Sequence, residues 1–313
     1  MVRHNAIKKV KQEDKKSLSL DEFFRLKYLP FAQATKRRSQ IDHYVYDKHI
    51  RVALGREIIE NITSEDIDEW KLSQINAGYK PATVNKHSSI LNRMFNLALH
   101  WGYVDRNPFI GAVIKKFPVG DYVQRFLTVQ EISRLLAACK KSSHPYLYLF
   151  VSLLLLTGAR KSEWRLAKWS DLDLEKRELF VAVSKSGQSR KILLSDEAIK
   201  VLQKVRQKSE CLGCPTHSNF WIFPNPRTGK PYTSFHIAFF KAREISGLPN
   251  VRIHDLRHTY ASLLINNGAS IYEVQKLLGH SDISMTERYA HLFPNTLKDR
   301  VGIVAQTINW RDF

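Results

Sequence analysis

The sequence predicts a mainly α-helical protein of two domains, the second interrupted by a small β-hairpin. Its 313 residues exceed the usual size of one domain, about 100 to 200 residues. Helical periodicity with Ser/Thr-x-x-Glu capping boxes runs through most of the chain. Only RELFVAV at 177–183 and RKILLS at 190–195, separated by the turn-like SKSGQS, carry a clear β pattern.

Residues 1–16 hold six basic and two acidic side chains without apolar period; they read either as a flexible basic arm that tracks phosphates or as a plain tail. In SLSLDEFFRLKYL, Ser19 and Glu22 have capping-box spacing. Further helices are expected at 63–77, ending before Gly78, and at 82–100, where Ile90, Leu91, Met94, Leu97 and Ala98 share a face. Residues 17–106 thus form a helical domain. Residues 107–126, with two prolines and two glycines, read as an interdomain linker.

The second domain spans 127–313 with a C-terminal tail. Thr128 and Glu131 open its first helix, and YLYLFVSLLLL at 146–156 reads as a buried core helix. After the hairpin, NFWIFPN at 219–225 is a further short extended piece. Helices return in HDLRHTYASLLINNG, ending at Gly268, and from Ser270 to Gly279 with a Ser270–Glu273 box. Ser284 with Glu287 caps a last short helix, which would carry Tyr289 in its second turn. In the tail, Val301, Ile303, Val304 and Ile308 form a weakly amphipathic run that either docks on a neighbouring subunit or folds back.

Forty-nine Lys and Arg against thirty Asp and Glu give a formal charge of +19, with 43% hydrophobic residues. That combination fits a folded protein with a polyanionic partner, most simply nucleic acid. The polar, basic N-terminus has no signal-peptide h-region, so a cytoplasmic, DNA-associated location is expected. The longest apolar run is far short of the ~20 residues that span a bilayer. Three cysteines fit a reducing compartment. Cys211, Cys214 and His217 resemble half a zinc site, but no second ligand pair follows, and two free thiols are the preferred reading.

Three fragments carry possible chemistry. His254 and Arg257, at i and i+3 on a helix, point the same way and suit a phosphate, or else form a solvated face. In TGARKSE, Arg160 at a helix junction with Glu163 one turn on is either a held, buried arginine or a surface pair. Gly279 ends a helix and frees the backbone to aim His280 into a cleft. Tyr289 follows nine residues later.

Taken in this order, Arg160, Lys185 at the hairpin turn, His254-x-x-Arg257, Gly279-His280 and Tyr289 closely resemble the tyrosine recombinase, or phage integrase, family. The resemblance covers about residues 17–295 and is strongest in TGARKSE, IHDLRHTYAS and LLGHSDISMTERYAH. It implies a helical, SAM-like core-binding domain and a mostly helical catalytic domain of the DNA breaking-rejoining fold, clamped around duplex DNA. It assigns Arg160 and Arg257 to the scissile phosphate, His254 and His280 to the same pocket, Lys185 to the hairpin entering the DNA, and Tyr289 to the nucleophile, with Glu163 in support. No metal or other cofactor is implied. The implied partners are double-stranded target sites, a homotetramer holding two sites in synapsis and an accessory DNA-bending or directionality factor. Trp164, where an aliphatic residue is common, and Leu193, where proline is common, depart from the pattern at packing positions.

The chemistry is physically coherent. Two guanidiniums and two imidazoles stabilise the charge that builds on a pentacoordinate phosphorus. A phenol with a reference pKa near 10 needs a base, for which His254 or a water is available. Lys185 can protonate the leaving 5′ oxygen. The phosphotyrosine keeps the bond energy, so ATP is not needed. Two rivals follow: a type IB topoisomerase-like nicking-resealing enzyme and a catalytically inactive DNA-binding regulator of the same fold.

Overall fold

Ser19 opens the first helix as its capping box predicts: in the computed structural model its hydroxyl accepts from the Glu22 amide at 3.2 Å, and its own amide donates to the Glu22 carboxylate at 2.9 Å. The structure describes residues 17–120, 125–182 and 189–290. The chain divides into two units, residues 1–122 and 123–313.

In the first unit, α1 (Leu20–Phe23) continues through wider π-type turns at Phe24–Tyr28 into α2 (Leu29–Thr35). A second rod, α3 (Ser39–Val45), π-type turns at Tyr46–Ile50 and α4 (Arg51–Leu54), was not anticipated, because its inner face carries polar Ser39 and Asp42 beside its apolar residues. Asp42 tolerates burial by accepting from the Tyr28 hydroxyl at 2.6 Å and from Lys36. Phe24 and Tyr46 stack with centroids 3.7 Å apart and tie the two rods together.

Helix α5 (Ser64–Asn76) is capped by Thr63, and α6 (Pro81–His100) buries Ile90, Leu91, Met94 and Ala98, with Leu97 partly covered. Within the segment read as a linker lies α7 (Pro108–Gly111), capped by Asn107. The following backbone is held on this unit: Asp68 accepts from the Val113 amide at 2.7 Å, and Asn85 bonds Phe117 through both amide groups, at 2.9 and 3.0 Å.

In the second unit, α8 (Val129–Lys140) starts at the Thr128 capping box, and α9 (Leu147–Thr157) forms the centre of the core. Gly158 ends α9 in the left-handed region, at φ 60°. Helix α10 (Lys161–Arg165) buries Trp164, whose indole N–H donates to the Thr157 hydroxyl at 3.0 Å. Trp164 is thus a packing position as expected, whereas Leu193, expected to be one, is exposed.

The sheet has three antiparallel strands in the order β1 (Leu172–Asp173), β2 (Glu178–Val181) and β3 (Arg190–Leu193). Register pairs Leu179 with Ile192, both facing the core. The two-residue β1 is too short to leave a sequence pattern. The piece at 219–225 contributes only isolated bridges, Lys168 with Trp221 and Pro224 with Pro231.

Helices α11 (Asp196–Cys211), α12 (His236–Ile245), α13 (Asp255–Asn266) and α14 (Ile271–Leu278) follow, and α9 packs against α11 and α13. The last described helix, α15 (Ser284–Glu287), corrects an expectation: Ser284 is its first residue rather than its cap, and its amide donates to the Asp282 carboxylate at 2.9 Å. Tyr289 therefore lies just past the helix, not in its second turn. It packs on Ala261, Ile265, Val274 and Leu278 of α13 and α14. Residues 1–16, Lys185 and the amphipathic run at 301–308 lie outside the described residues. Among the described residues no helix is long and apolar enough to cross a membrane.

Candidate active site

The site is built where three chain reversals meet. The first is the Thr157-Gly158-Ala159 turn between α9 and α10. Glycine is required at 158, because a Cβ there would lie 2.2 Å from the Tyr260 ring and φ is positive. The turn places Arg160 at the start of α10, with its amide donating to Glu163 Oε2 at 2.6 Å and its guanidinium to Oε1 at 3.1 Å.

Glu163 is buried and takes a second guanidinium that the sequence reading missed. Arg190, the first residue of β3, donates Nε to Oε1 at 3.1 Å and Nη2 to Oε2 at 2.7 Å. Burial raises the Glu163 pKa, but the bonds and charge of Arg190, then those of Arg160, outweigh it and hold the carboxyl below its ordinary value. Among the described residues, Glu163 is thus the carboxylate that ties α10 to the hairpin.

The second reversal is the end of α14, where Gly279 adopts φ 64°. It leaves the Leu278 carbonyl pointing at two cations: Arg190 Nη1 donates to it at 2.7 Å, and so does Arg257 Nη2. Arg257 also donates Nη1 to the Gly158 carbonyl at 2.8 Å, so one buried guanidinium ties the first two reversals together. Burial and then the charges of Arg160 and Arg190 push the Arg257 pKa down, although the group stays cationic at neutral pH.

His254 immediately precedes α13, and Asp255 behind it is fully buried, accepting from the Arg252 amide at 2.8 Å and the Arg252 guanidinium at 2.6 Å. Burial, then the charge of Arg257, lowers the His254 pKa. His280 follows Gly279 and bonds through Nδ1 to the Thr286 hydroxyl at 2.8 Å, with Thr286 completely buried. Burial, then Arg257 and Arg160, pushes His280 down to about 3.

The third reversal, past α15, delivers Tyr289. It is 2% exposed, and its hydroxyl lies 2.6 Å from Nδ1 of His258, which is 3% exposed. The imidazole in contact with the tyrosine is therefore His258; His254 lies one turn back, edge-on to His258 with centroids 5.0 Å apart. Burial, then His254, brings His258 down to about 4, and burial raises the Tyr289 pKa against the opposing charges of Arg257 and Arg288. Tyrosine and histidine both stay neutral at pH 7.

Of the residues expected from sequence, Arg160, Glu163, His254, Arg257, His280 and Tyr289 all belong to this one region of the second unit. Arg190, His258 and Thr286 join them. His258 was readable as the residue at i+4 from His254 on the same helix face. Arg190 had no local signal, since its partners are 27 and 88 residues away.

A cleft lined by Arg160, Ser162, Glu163, Leu166, Phe180 and Val181 opens between α10 and β2. Cys211 is exposed and Cys214 buried, and among the described residues no three His, Cys, Asp or Glu side chains form a metal-holding group. Chemically, the region offers Arg160, Arg190 and Arg257 with Glu163 shared by the first two, the Arg252–Asp255 pair, neutral imidazoles with N–H donors and a buried phenol. It is arranged for an anion.

The family model described as "Phage integrase family" matches residues 125–296. The integrase of Escherichia phage 186 is 26% identical over 307 residues, 93% of this chain and 82% of that protein. Among solved structures, the Tn1549 transposon integrase in complex with a circular intermediate DNA aligns with a TM-score of 0.74 at 20% identity, covering 93% of this chain and 100% of that one. The lambda integrase tetramer bound to a Holliday junction aligns with a TM-score of 0.68 at 25% identity, covering 92% and 80%.

Proposed function

The chain belongs to the phage integrase family of tyrosine site-specific recombinases, and on that premise we propose that it cuts and rejoins duplex DNA through a covalent 3′-phosphotyrosine on Tyr289, for integration or excision of a mobile element. The observation that carries the reading is that Arg160 and Arg190 share the carboxylate of Glu163 while Arg257 shares the Leu278 carbonyl with Arg190, beside a buried tyrosine. An excess of fixed positive charge in a partly buried region is costly unless an anion completes it.

In this reading a scissile phosphate docks against Arg160 and Arg257, and His254 and His280 donate N–H bonds to its oxygens. Glu163 fixes the Arg160 fork. Tyr289 oxygen attacks phosphorus, the P–O5′ bond breaks, and Lys185 protonates the leaving oxygen. The guanidiniums supply the positive charge that the transition state needs, so the reaction proceeds without metal, and the ester stores the bond energy, so it proceeds without ATP. The partner is double-stranded DNA, bound by both units. Four copies would hold two sites together, as the lambda integrase tetramer holds a Holliday junction, with an accessory DNA-bending or directionality factor setting the outcome.

The test is to incubate wild-type and Tyr289→Phe protein with nicked duplexes taken from DNA flanking its own gene, without metal, and look for protein-linked DNA on a denaturing gel. An adduct with the wild type alone supports the reading and locates the cut. No adduct on DNA that the protein binds favours a non-catalytic regulator. Relaxation of supercoiled plasmid without strand exchange favours a topoisomerase-like enzyme.

A further inference from the structure

We infer that His258 is the base that takes the phenolic proton of Tyr289 as the DNA strand is cut, and the acid that returns it as the strand is rejoined. This rests on the recombinase reading above. The geometry points to it directly: of the imidazoles in the region, His258 holds the Tyr289 hydroxyl, at 2.6 Å through Nδ1. Tyrosine and imidazole are 2% and 3% exposed, so bulk water does not compete for the bond. His254, which the sequence offered for this role alongside a water, stands edge-on to His258 with centroids 5.0 Å apart, and His280 is engaged at Nδ1 by Thr286.

The step balances. The Tyr289 O–H bond breaks and its proton passes to Nδ1 of His258, while the phenolic oxygen bonds to phosphorus. The P–O5′ bond breaks, and the leaving 5′ oxygen takes a separate proton from the general acid, the role proposed for Lys185. Rejoining reverses each transfer. Two groups, one for each oxygen, are what an in-line exchange between two oxygens requires.

The surroundings keep this pair idle until DNA arrives. His258 faces His254, Asp255 and Arg252 from the start of α13, and Arg288 and Tyr289 from the C-terminal segment. Burial and the neighbouring imidazole leave it uncharged at neutral pH and lower its proton affinity, so it does not take the phenolic proton unaided. Burial equally keeps Tyr289 protonated. The phosphodiester monoanion docked against Arg160 and Arg257 adds the negative charge that raises the proton affinity of the imidazole, so transfer is favoured only with substrate in place.

Two measurements test this. Nitrogen-15 NMR of histidine-labelled, DNA-free protein reads the tautomer: an unprotonated Nδ1 on His258 is expected, with the phenol donating. A protonated Nδ1 donating to the phenolic oxygen overturns the inference without any DNA.

The second compares single-turnover cleavage of a nicked duplex by wild type, His258→Ala and His258→Asn. Asparagine places an amide near the Nδ1 position, where it can accept the hydrogen bond but cannot take the proton. Both variants should bind DNA within about twofold of wild type and cleave about 100-fold or more slowly, in the range of a lost general base. Added imidazole should restore part of the His258→Ala rate. A near-normal rate with His258→Asn overturns the inference in favour of a positioning contact. An adduct formed equally by all three proteins overturns the inference but keeps the recombinase; no adduct with any, wild type included, overturns both. Should either variant fail to fold, the NMR measurement on the wild type decides.

Discussion

Arg190 and Arg257 donate to one and the same oxygen, the carbonyl of Leu278, each at 2.7 Å. One guanidinium belongs to the hairpin strand β3 and the other to helix α13, and the shared acceptor ends α14. Through Glu163, Arg190 extends the chain of bonds to Arg160. Arg190, which bears no direct part in the proposed chemistry, therefore ties β3 to α10 and to the end of α14, where Arg257 joins α13.

Replacing Arg190 by alanine strips Glu163 of its two-pronged guanidinium partner and leaves the Leu277 and Leu278 carbonyls each short of a donor. Arg160 remains, so the loss should fall at or below the roughly 3 to 5 kcal/mol of a broken buried pair, about 2 to 4 kcal/mol. Arg190→Lys keeps the charge but not the two-pronged bond to the carboxylate and should recover only part. Urea unfolding measures both. Equal stability of Arg190→Ala and wild type would remove this arginine from the frame of the site.

Gly279 yields a sharper test of the same contact. A Cβ at this residue would sit 2.5 Å from Arg190 Cδ and 2.6 Å from its Nη1, and φ is 64°. The left-handed backbone alone costs a non-glycine residue about 1 to 2 kcal/mol. In Gly279→Ala the displaced Arg190 adds to this; in an Arg190→Ala background only the backbone cost remains. The double variant should thus be less destabilised than the sum of the singles, by about 1 kcal/mol or more. Strict additivity would mean that the glycine and the arginine do not meet.

The mostly helical fold and most of the site were legible in the sequence because their signals are local. The expected capping boxes at Ser19, Thr128 and Ser270 form in the structure, the one at Ser284 does not, and the glycines at 158 and 279 sit at the reversals that aim Arg160 and His280. What escaped has nonlocal causes. The rod at 39–54 hides its inner face behind Asp42, which is buried only because Tyr28 and Lys36 come to meet it. Arg190 looks like any polar residue at a strand start until Glu163 and Leu278 arrive from elsewhere in the chain. His258 was visible in the same motif as His254, but which of two histidines meets the tyrosine depends on how the chain returns after α15.

Acid should loosen the protein well above the range in which carboxylates titrate. His258 and His280 in the second unit are held to about 4 and about 3, and His87 in the first to about 4, in each case chiefly by burial. Between an unfolded value near 6.5 and these folded values the unfolded chain binds more protons, so stability is complete above about pH 6.5 and falls as pH drops through the window. Thermal melts from pH 7.5 to 4.5 should show the midpoint descending, and His280→Asn should flatten the slope. A midpoint constant down to pH 4.5 would contradict the burial of these imidazoles as neutral groups.

The last expectation concerns the unbalanced charge itself. If Arg160, Arg190 and Arg257 outnumber the acid set between them because an oxyanion belongs there, then inorganic phosphate or sulfate should bind the folded state alone. At a concentration 100 times its dissociation constant, such a ligand adds about 2.7 kcal/mol to stability, seen as a rising melting temperature. Sodium chloride at matched ionic strength controls for screening of the +19 chain as a whole. Glu163→Gln, which removes the carboxylate that Arg160 and Arg190 share while keeping its shape, should melt lower than wild type without the anion and gain more from it. Arg160→Ala should gain less. If sulfate stabilised the two variants alike, the effect would come from the general basic surface, and the convergence of guanidiniums would be a structural brace rather than a seat for phosphate.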